Sequence, residues 1–175
     1  MRVLKVIALV LMPLVALTAC DQKKSDAATA GPTAGPGVPG SGYDTSADAS
    51  KRFLADYAAR PDVKKLPDGL MYRVLKAGNG PAVQKDNDVV TVYYKGELIN
   101  GKVFDQTKPE EPAQFPVGGL IPGWVEALKL MKTGDTWELV IPSDLGYGAD
   151  GAGGTIPPNA TLVFVMTLAK VEYAP

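Results

Sequence analysis

The chain has 175 residues, of which 46% are hydrophobic, and its 18 basic and 19 acidic residues nearly balance. It contains no histidine and a single cysteine, which excludes Ser-His-Asp and Cys-His catalysis and the common zinc sites. The balanced charge gives no electrostatic reason to expect nucleic acid as a partner. We expect no metal or other cofactor, and any reaction must proceed without a strong nucleophile or base.

Residues 1–19 have the features of a secretory signal peptide. Arg2 and Lys5 precede an apolar run from Val6 to Leu17, which is shorter than the roughly 20 residues of a membrane-spanning helix. The run ends in Leu17-Thr18-Ala19-Cys20, which resembles the bacterial lipobox. That resemblance implies that Cys20 is lipidated and anchors the protein in the cell envelope, facing the periplasm, at the inner or the outer membrane. The alternatives are a cleaved signal peptide with an incidental cysteine and an uncleaved anchor.

Residues 20–42 and 43–65 are predicted to be a linker and a short helical segment. After Cys20 the linker consists largely of Ala, Gly, Pro, Thr and Ser, which bury too little apolar surface to order a chain. The helix is predicted from Thr45 to Arg60, with Thr45 and Asp48 as a capping box and Pro61 after its end. A helix of about 16 residues is marginal alone, so we expect it to pack on the following domain or on a partner.

Residues 66–175 have the pattern of an α+β domain. β-Branched and alternating segments predict strands at residues 70–75, 89–98, 136–141 and 162–168. Asn100-Gly101 predicts a type I′ hairpin turn, with a returning strand from Lys102 to Asp105. An antiparallel sheet curled around one short helix would bury the apolar faces of all these elements.

The short helix is predicted after a glycine-rich loop. Gly118 and Gly119 allow a sharp turn, and Pro122 suits a first helical turn. Trp124, Leu128 and Met131 then fall on one apolar face. A tryptophan in the first turn of such a helix can form the floor of a pocket, and the alternative is an ordinary core tryptophan.

Five motifs between residues 66 and 173 resemble those of the FKBP-type peptidyl-prolyl cis-trans isomerases. In chain order they are Tyr93–Gly96, Asn100–Asp105, Leu120–Trp124, Gly146–Ala149 and Ile156–Phe164. The fold of that family is a curled antiparallel sheet, a half-barrel, wrapped around one short helix, in agreement with the pattern above. The resemblance implies an enzyme that accelerates X–Pro isomerisation in unfolded or nascent exported polypeptides, without a covalent intermediate, and so assists folding in the cell envelope.

The resemblance also implies the residues of the proline site. It makes Trp124 the floor beneath the proline ring. It implies that six further residues make apolar contacts with the substrate: Tyr94, Phe104, Phe115, Leu120, Ile156 and Phe164. The backbone N–H of Ile121 and the hydroxyl of Tyr147 would bind the peptide, and Asp105 would orient Tyr94 or polarise the substrate. As alternatives, Phe104 and Phe164 are plain core residues and Asp105 is a turn residue.

Two residues depart from the family pattern. Ala113 replaces a phenylalanine and Ala152 stands where some members carry histidine, so both are expected to alter the rim of the pocket. The affinity for macrolide inhibitors such as tacrolimus and rapamycin therefore stays open. We expect a monomer, because the segment before the first strand is too short for the dimerisation arm of macrophage-infectivity-potentiator relatives. The alternative functions are a chaperone-like peptide-binding module and a structural lipoprotein.

Overall fold

The computed structural model describes residues 39–40 and 42–175. The predicted signal peptide, Cys20 and most of the predicted linker lie outside these residues. Within the described part, no helix is long and apolar enough to cross a membrane.

Seven strands and two α-helices make up the described part of the chain. The strands are β1 (Lys64–Lys65), β2 (Met71–Lys76), β3 (Val89–Leu98), β4 (Val103–Gln106), β5 (Ala113–Pro116), β6 (Thr136–Ile141) and β7 (Leu162–Glu172). The helices are α1 (Ala47–Ala58) and α2 (Pro122–Leu130), and short 3-10 helices cover Val117–Gly119 and Ser143–Leu145.

The strands form one antiparallel sheet in the order β1-β2-β6-β7-β3-β4. β3 pairs with β7 along its whole length, from Val89 opposite Glu172 to Leu98 opposite Leu162. The other edge of β3 is shared, since its first half pairs with β5 and its second half with β4. The predicted α+β class, with an antiparallel sheet and few helices, is confirmed.

Two short strands were missing from the sequence prediction. β1 pairs with β2, so the sheet starts two residues before the predicted domain boundary at residue 66. β5 pairs with β3 from Val92 to Val89. Strands of two and four residues are too short to show a period-two pattern.

The β3–β4 turn differs from the predicted type I′ turn. That turn needs a positive φ at both central residues, whereas Gly101 has a φ of +81° and Asn100 is not among the residues with positive φ. The chain instead turns through a three-residue loop. The N–H of Gly101 donates to the Leu98 carbonyl at 2.8 Å, and the N–H of Leu98 donates to the Lys102 carbonyl at 2.9 Å.

α1 begins one residue later than its predicted cap. The N-cap is Ser46, whose Oγ accepts a hydrogen bond from the Ala49 N–H at 3.1 Å. The predicted capping box at Thr45 is therefore wrong. The helix ends at Ala58, shortly before Pro61, where the proline disfavours a further turn.

α1 covers the outer face of the sheet. Phe53 and Tyr57 are fully buried and pack with Met71, Val140 and Val163. The Tyr57 hydroxyl donates a hydrogen bond of 2.9 Å to Oε1 of Glu138 on β6. The helix therefore packs on the domain that follows it, as its marginal length predicted.

α2 lies against the inner face of the sheet. Trp124, Leu128 and Met131 are all buried, as their spacing predicted. A Cβ on Gly123 would lie 2.7 Å from Cγ2 of Ile141 on β6. A residue without a side chain at position 123 thus allows the first turn of α2 to approach the sheet closely.

Phe53→Ala should loosen α1 from the sheet. We expect the free energy of unfolding to fall by about 3–5 kcal/mol, because the change leaves a cavity in the outer core. Urea unfolding of the two proteins measures the difference. Lys51→Ala on the exposed side of the same helix is the matched control and should change stability by less than about 0.5 kcal/mol. Equal effects of the two substitutions would contradict the packing described for α1.

The position of α2 also depends on a pair of carboxyl groups. Glu126 on α2 shares a hydrogen bond with Asp68 in the β1–β2 turn, and this bond, burial and the charge of Asp68 raise the pKa of Glu126 from 4.5 to about 7. Because the folded pKa exceeds the unfolded one, folding favours protonated Glu126. This stabilisation is complete below pH 4.5 and is lost as the pH rises through about 7.

Glu126→Gln should remove this pH dependence, because glutamine keeps a hydrogen-bond donor but does not titrate. When the pH is raised from 5 to 8, we expect the free energy of unfolding to fall by about 1 kcal/mol more in the wild type than in the variant. This difference is smaller than the full pKa shift would give, because solvent screens the partly exposed site. Urea unfolding at both pH values measures it. Glu110→Gln, at an exposed glutamate, should follow the wild type. Parallel pH profiles for wild type and Glu126→Gln would contradict the prediction.

Candidate active site

A pocket of about 190 Å³ opens between α2 and the inner face of the sheet. It is lined by Tyr94, Phe104, Asp105, Phe115, Leu120, Ile121, Trp124, Tyr147 and Phe164. Every site residue predicted for the proline pocket is therefore in its lining except Ile156. Four strands, the helix α2 and two loops supply the lining, so the pocket exists only in the folded domain.

Trp124 lies at the centre of a cluster of aromatic rings. Its ring centroid is 5.0 Å from that of Tyr94, 5.1 Å from Phe164 and 6.2 Å from Phe115, with interplanar angles of 79–82°. Such edge-to-face contacts are favoured by the ring quadrupoles. The indole is 4% exposed, so it is fixed on several sides and forms a rigid floor.

Gly96 on β3 makes room for two of the wall residues, a role that sequence reasoning missed. A Cβ at this position would lie 2.7 Å from Cζ of Phe104 and 2.7 Å from Cε1 of Phe164. The two phenylalanine rings meet edge to face above it, with centroids 5.4 Å apart. A glycine inside a strand pattern signals such a close approach, and Gly96 stands inside the first of the five motifs.

Tyr94 is held at its backbone and at its hydroxyl. Thr107 binds both sides of the Tyr94 backbone, because its Oγ1 accepts from the Tyr94 N–H at 3.1 Å and its N–H donates to the Tyr94 carbonyl at 3.0 Å. Sequence reasoning missed Thr107, which lies in no motif. The Tyr94 hydroxyl donates to Oδ2 of Asp105 at 2.6 Å.

The contact with Asp105 fixes the protonation state of Tyr94. Partial burial, followed by the hydrogen bond to Asp105 and its negative charge, raises the pKa of Tyr94 above its usual value. The hydroxyl therefore stays protonated over the physiological pH range and keeps donating to Asp105. Of the two roles expected for Asp105, this geometry matches the orientation of Tyr94.

Two polar donors remain available at the pocket. Ile121 is the N-cap of α2, and its carbonyl accepts from the Trp124 N–H at 2.9 Å. Within residues 39–40 and 42–175, the N–H of Ile121 itself donates to no other group. The same holds, in the described part, for the hydroxyl of Tyr147, whose residue is 41% exposed.

A groove of about 230 Å³ adjoins the pocket and shares Phe104, Asp105 and Tyr147 with it. The predicted wall residue Ile156 lies in this groove, not in the pocket beside Trp124. Ala152 lies there too, because the backbones of Ala152 and Ile156 exchange hydrogen bonds of 3.0 Å.

Ala113, by contrast, lies in β5 opposite Val92 and lines neither the pocket nor the groove. That Ala113 alters the rim stays a prediction, whereas Ala152 contributes to the surface beside the pocket.

Comparison with known proteins gives a consistent result. A family model described as FKBP-type peptidyl-prolyl cis-trans isomerase matches residues 80–169. The chain is 45% identical over 130 residues to the "FKBP-type 22 kDa peptidyl-prolyl cis-trans isomerase" of Escherichia coli, covering 74% of this chain and 63% of the relative. It is 48% identical over 123 residues to the "Outer membrane protein MIP" of Legionella longbeachae, covering 70% of this chain and 52% of the relative.

A solved structure shows the same fold. The peptidyl-prolyl cis-trans isomerase of Pseudomonas syringae pv. tomato aligns with a TM-score of 0.67 and 42% identity, over 75% of this chain and all of that one. The chain spans only about half to two thirds of the two sequence relatives, yet the matched region contains the whole aromatic pocket. The chain belongs to the family of FKBP-type peptidyl-prolyl cis-trans isomerases.

Proposed function

We propose that the chain accelerates cis–trans isomerisation of X–Pro bonds in polypeptides, with the proline ring bound against Trp124. The observation that carries the proposal is the combination of a rigid aromatic floor with two unused donors, the Ile121 N–H and the Tyr147 hydroxyl. An apolar ring fits the floor, and the carbonyl groups of a peptide fit the donors.

The mechanism follows from the electronic structure of the imide bond. Rotation about it is opposed by a barrier of about 18–20 kcal/mol, which arises from resonance. Water favours the charge-separated resonance form, so transfer into an apolar pocket weakens the double-bond character. A pocket shaped to the twisted imide binds the transition state more tightly than either planar isomer.

The donors supply the polar part of this selectivity. The Ile121 N–H and the Tyr147 hydroxyl hold the carbonyl groups of the peptide while the imide turns. A barrier lowered by roughly 5–7 kcal/mol corresponds to an acceleration of about 10⁴–10⁵-fold. No step needs a nucleophile or a base, which agrees with a chain that contains no histidine.

Asp105 acts as a positioning residue in this proposal. It accepts the hydrogen bond of the Tyr94 hydroxyl and so fixes the ring of Tyr94, which contacts the edge of Trp124. Asp105 itself carries out no proton transfer, because isomerisation requires none.

The proposed setting is the cell envelope. Cys20 is lipidated, the chain faces the periplasm as a monomer, and its substrates are exported polypeptides that contain proline. The lipobox-like end of the predicted signal peptide supports the anchor, and the name of the Legionella relative supports an envelope location. Macrolides such as rapamycin and tacrolimus compete for the same pocket. For the soluble part that begins at Ser25, a sedimentation mass of twice that of one chain would overturn the monomer.

Asp105→Ala and Tyr94→Phe should each lower kcat/KM for an Ala-Leu-Pro-Phe peptide by at least about tenfold, or roughly 1.4 kcal/mol of transition-state binding. Because Asp105 acts through Tyr94, the double variant should be no worse than the poorer single variant. A protease-coupled or NMR exchange assay measures the rates. Additive losses would contradict the positioning role of Asp105.

Controls separate this effect from misfolding. Asp150→Ala removes an exposed carboxylate that lines neither cavity and should retain wild-type kcat/KM. Rapamycin should abolish the wild-type acceleration. A folded wild-type protein that gives no acceleration would exclude the isomerase proposal and leave the chaperone-like binding module.

Cys20→Ala tests the anchor. We expect the wild type to fractionate with membranes and to carry a lipid at Cys20, and the variant to carry no lipid there, because alanine has no thiol that can be acylated. Membrane fractionation and mass spectrometry of the N-terminal peptide provide the readouts. Ser25→Ala is the control. An unlipidated wild-type Cys20 would contradict the proposal.

A further inference from the structure

The described chain begins beside the β3–β4 turn. The N–H of Gly40 donates to the Ile99 carbonyl at 2.9 Å. A Cβ on Gly101 would lie 3.2 Å from Cα of Gly40, so the two backbones touch where both residues are glycine. The segment that precedes Gly40 therefore starts from a fixed point on this turn.

That fixed point is three positions along the chain from a residue of the proline pocket. From the turn the chain enters β4, which carries the pocket residues Phe104 and Asp105. Phe104 lies three positions after Gly101, which corresponds to about 10 Å along a strand. The end of the predicted linker is thus fixed about 10 Å, measured along the strand, from a residue that lines the pocket.

The residues before Gly40 contain X–Pro bonds, which the pocket is proposed to bind. Residues 32–38 read Pro-Thr-Ala-Gly-Pro-Gly-Val and carry no charge. Pro36 lies four residues before Gly40 and Pro32 eight, which gives maximum reaches of about 14 Å and 28 Å. Pro36 therefore spans the strand distance with little slack, and Pro32 spans it with ample slack.

We propose that Pro32 and Pro36 bind the pocket of their own molecule, so that residues 32–38 act as an intramolecular substrate that competes with polypeptides from outside. The inference rests on the proposed function, since it assigns the pocket to X–Pro segments. A segment tied this close to its site has an effective concentration in the millimolar range, which half-fills a pocket of millimolar affinity.

The composition of the segment makes its binding weak, so that an external substrate can displace it from the pocket. Pro32 and Pro36 each follow a glycine, which has no side chain to place in the groove beside the pocket. A substrate with a large residue before proline gains additional contact with Phe104, Tyr147 and Ile156, which line that groove. Such substrates bind more tightly than residues 32–38 and displace them. External peptides with glycine before proline bind with about the same affinity as residues 32–38 and displace them only in part.

The first test removes both prolines from the full chain, purified in detergent micelles. Pro32→Ala/Pro36→Ala should raise kcat/KM for a Gly-Pro peptide about twofold, the gain expected when a half-filled site becomes free. Ser25→Ala/Thr29→Ala changes the linker outside residues 32–38 and should leave the rate unaltered. An unchanged rate for the proline variant would overturn the inference.

The second test observes the segment directly. In the full chain with ¹³C-labelled proline, cis–trans exchange at Gly35–Pro36 should be at least tenfold faster than in Asp105→Ala. Uncatalysed exchange takes tens to hundreds of seconds. Because the contact is intramolecular, the rate should not change over a tenfold range of protein concentration, and a rate proportional to concentration would overturn it.

The two proposals fail in different ways. If the full chain isomerises external peptides but exchange at Gly35–Pro36 is as slow as in Asp105→Ala, the intramolecular substrate is excluded and the isomerase stands. If external peptides are not isomerised by the folded chain, the proposed function itself fails.

Discussion

The packing of Trp124 against three other rings is the contact on which the domain depends. The indole meets Tyr94, Phe115 and Phe164 edge to face, and these rings come from three different strands. Trp124 also lines the pocket, so one side chain belongs both to this ring cluster and to the floor of the pocket. The same contact joins α2 to the sheet, so the core and the site are one structure. A change that loosens the core at Trp124 therefore also deforms the site.

The two faces of the sheet have separate tasks. The inner face carries the pocket, and the outer face is covered by α1, where the Tyr57 hydroxyl and two arginines converge on Glu138. Residues of β6 point to both faces of the sheet. α1 therefore packs on the outer face of the same strand that α2 contacts on the inner face. Burial, with the charge of Glu138, raises the pKa of Tyr57 above its usual value. The Tyr57 hydroxyl therefore stays protonated and uncharged where α1 packs on the sheet.

Sequence reasoning was most successful where a residue's type limits its place. The long strands and the apolar face of α2 could be predicted from alternation and helical spacing, whereas the pocket residues were inferred from the resemblance to a family. The cap of α1 was predicted wrongly, because Ser46 and not Thr45 caps the helix. Ile156 lies in the adjoining groove rather than among the residues that line the pocket. Thr107 and Gly96 position Tyr94 and the phenylalanine rings only through contacts across the sheet, which no local pattern contains. Strands as short as β1 owe their existence to a partner strand.

The two edges of the sheet are built in a way that limits pairing with further strands. β1 has two residues, both exposed lysines, and β4 has four. Short strands and lysine side chains are devices that keep sheet edges from recruiting further strands. A domain that meets unfolded segments continually would otherwise extend its sheet with them and become the seed of an aggregate. For the proposed isomerase, these edges would allow repeated encounters with unfolded substrates without the addition of substrate strands to the sheet.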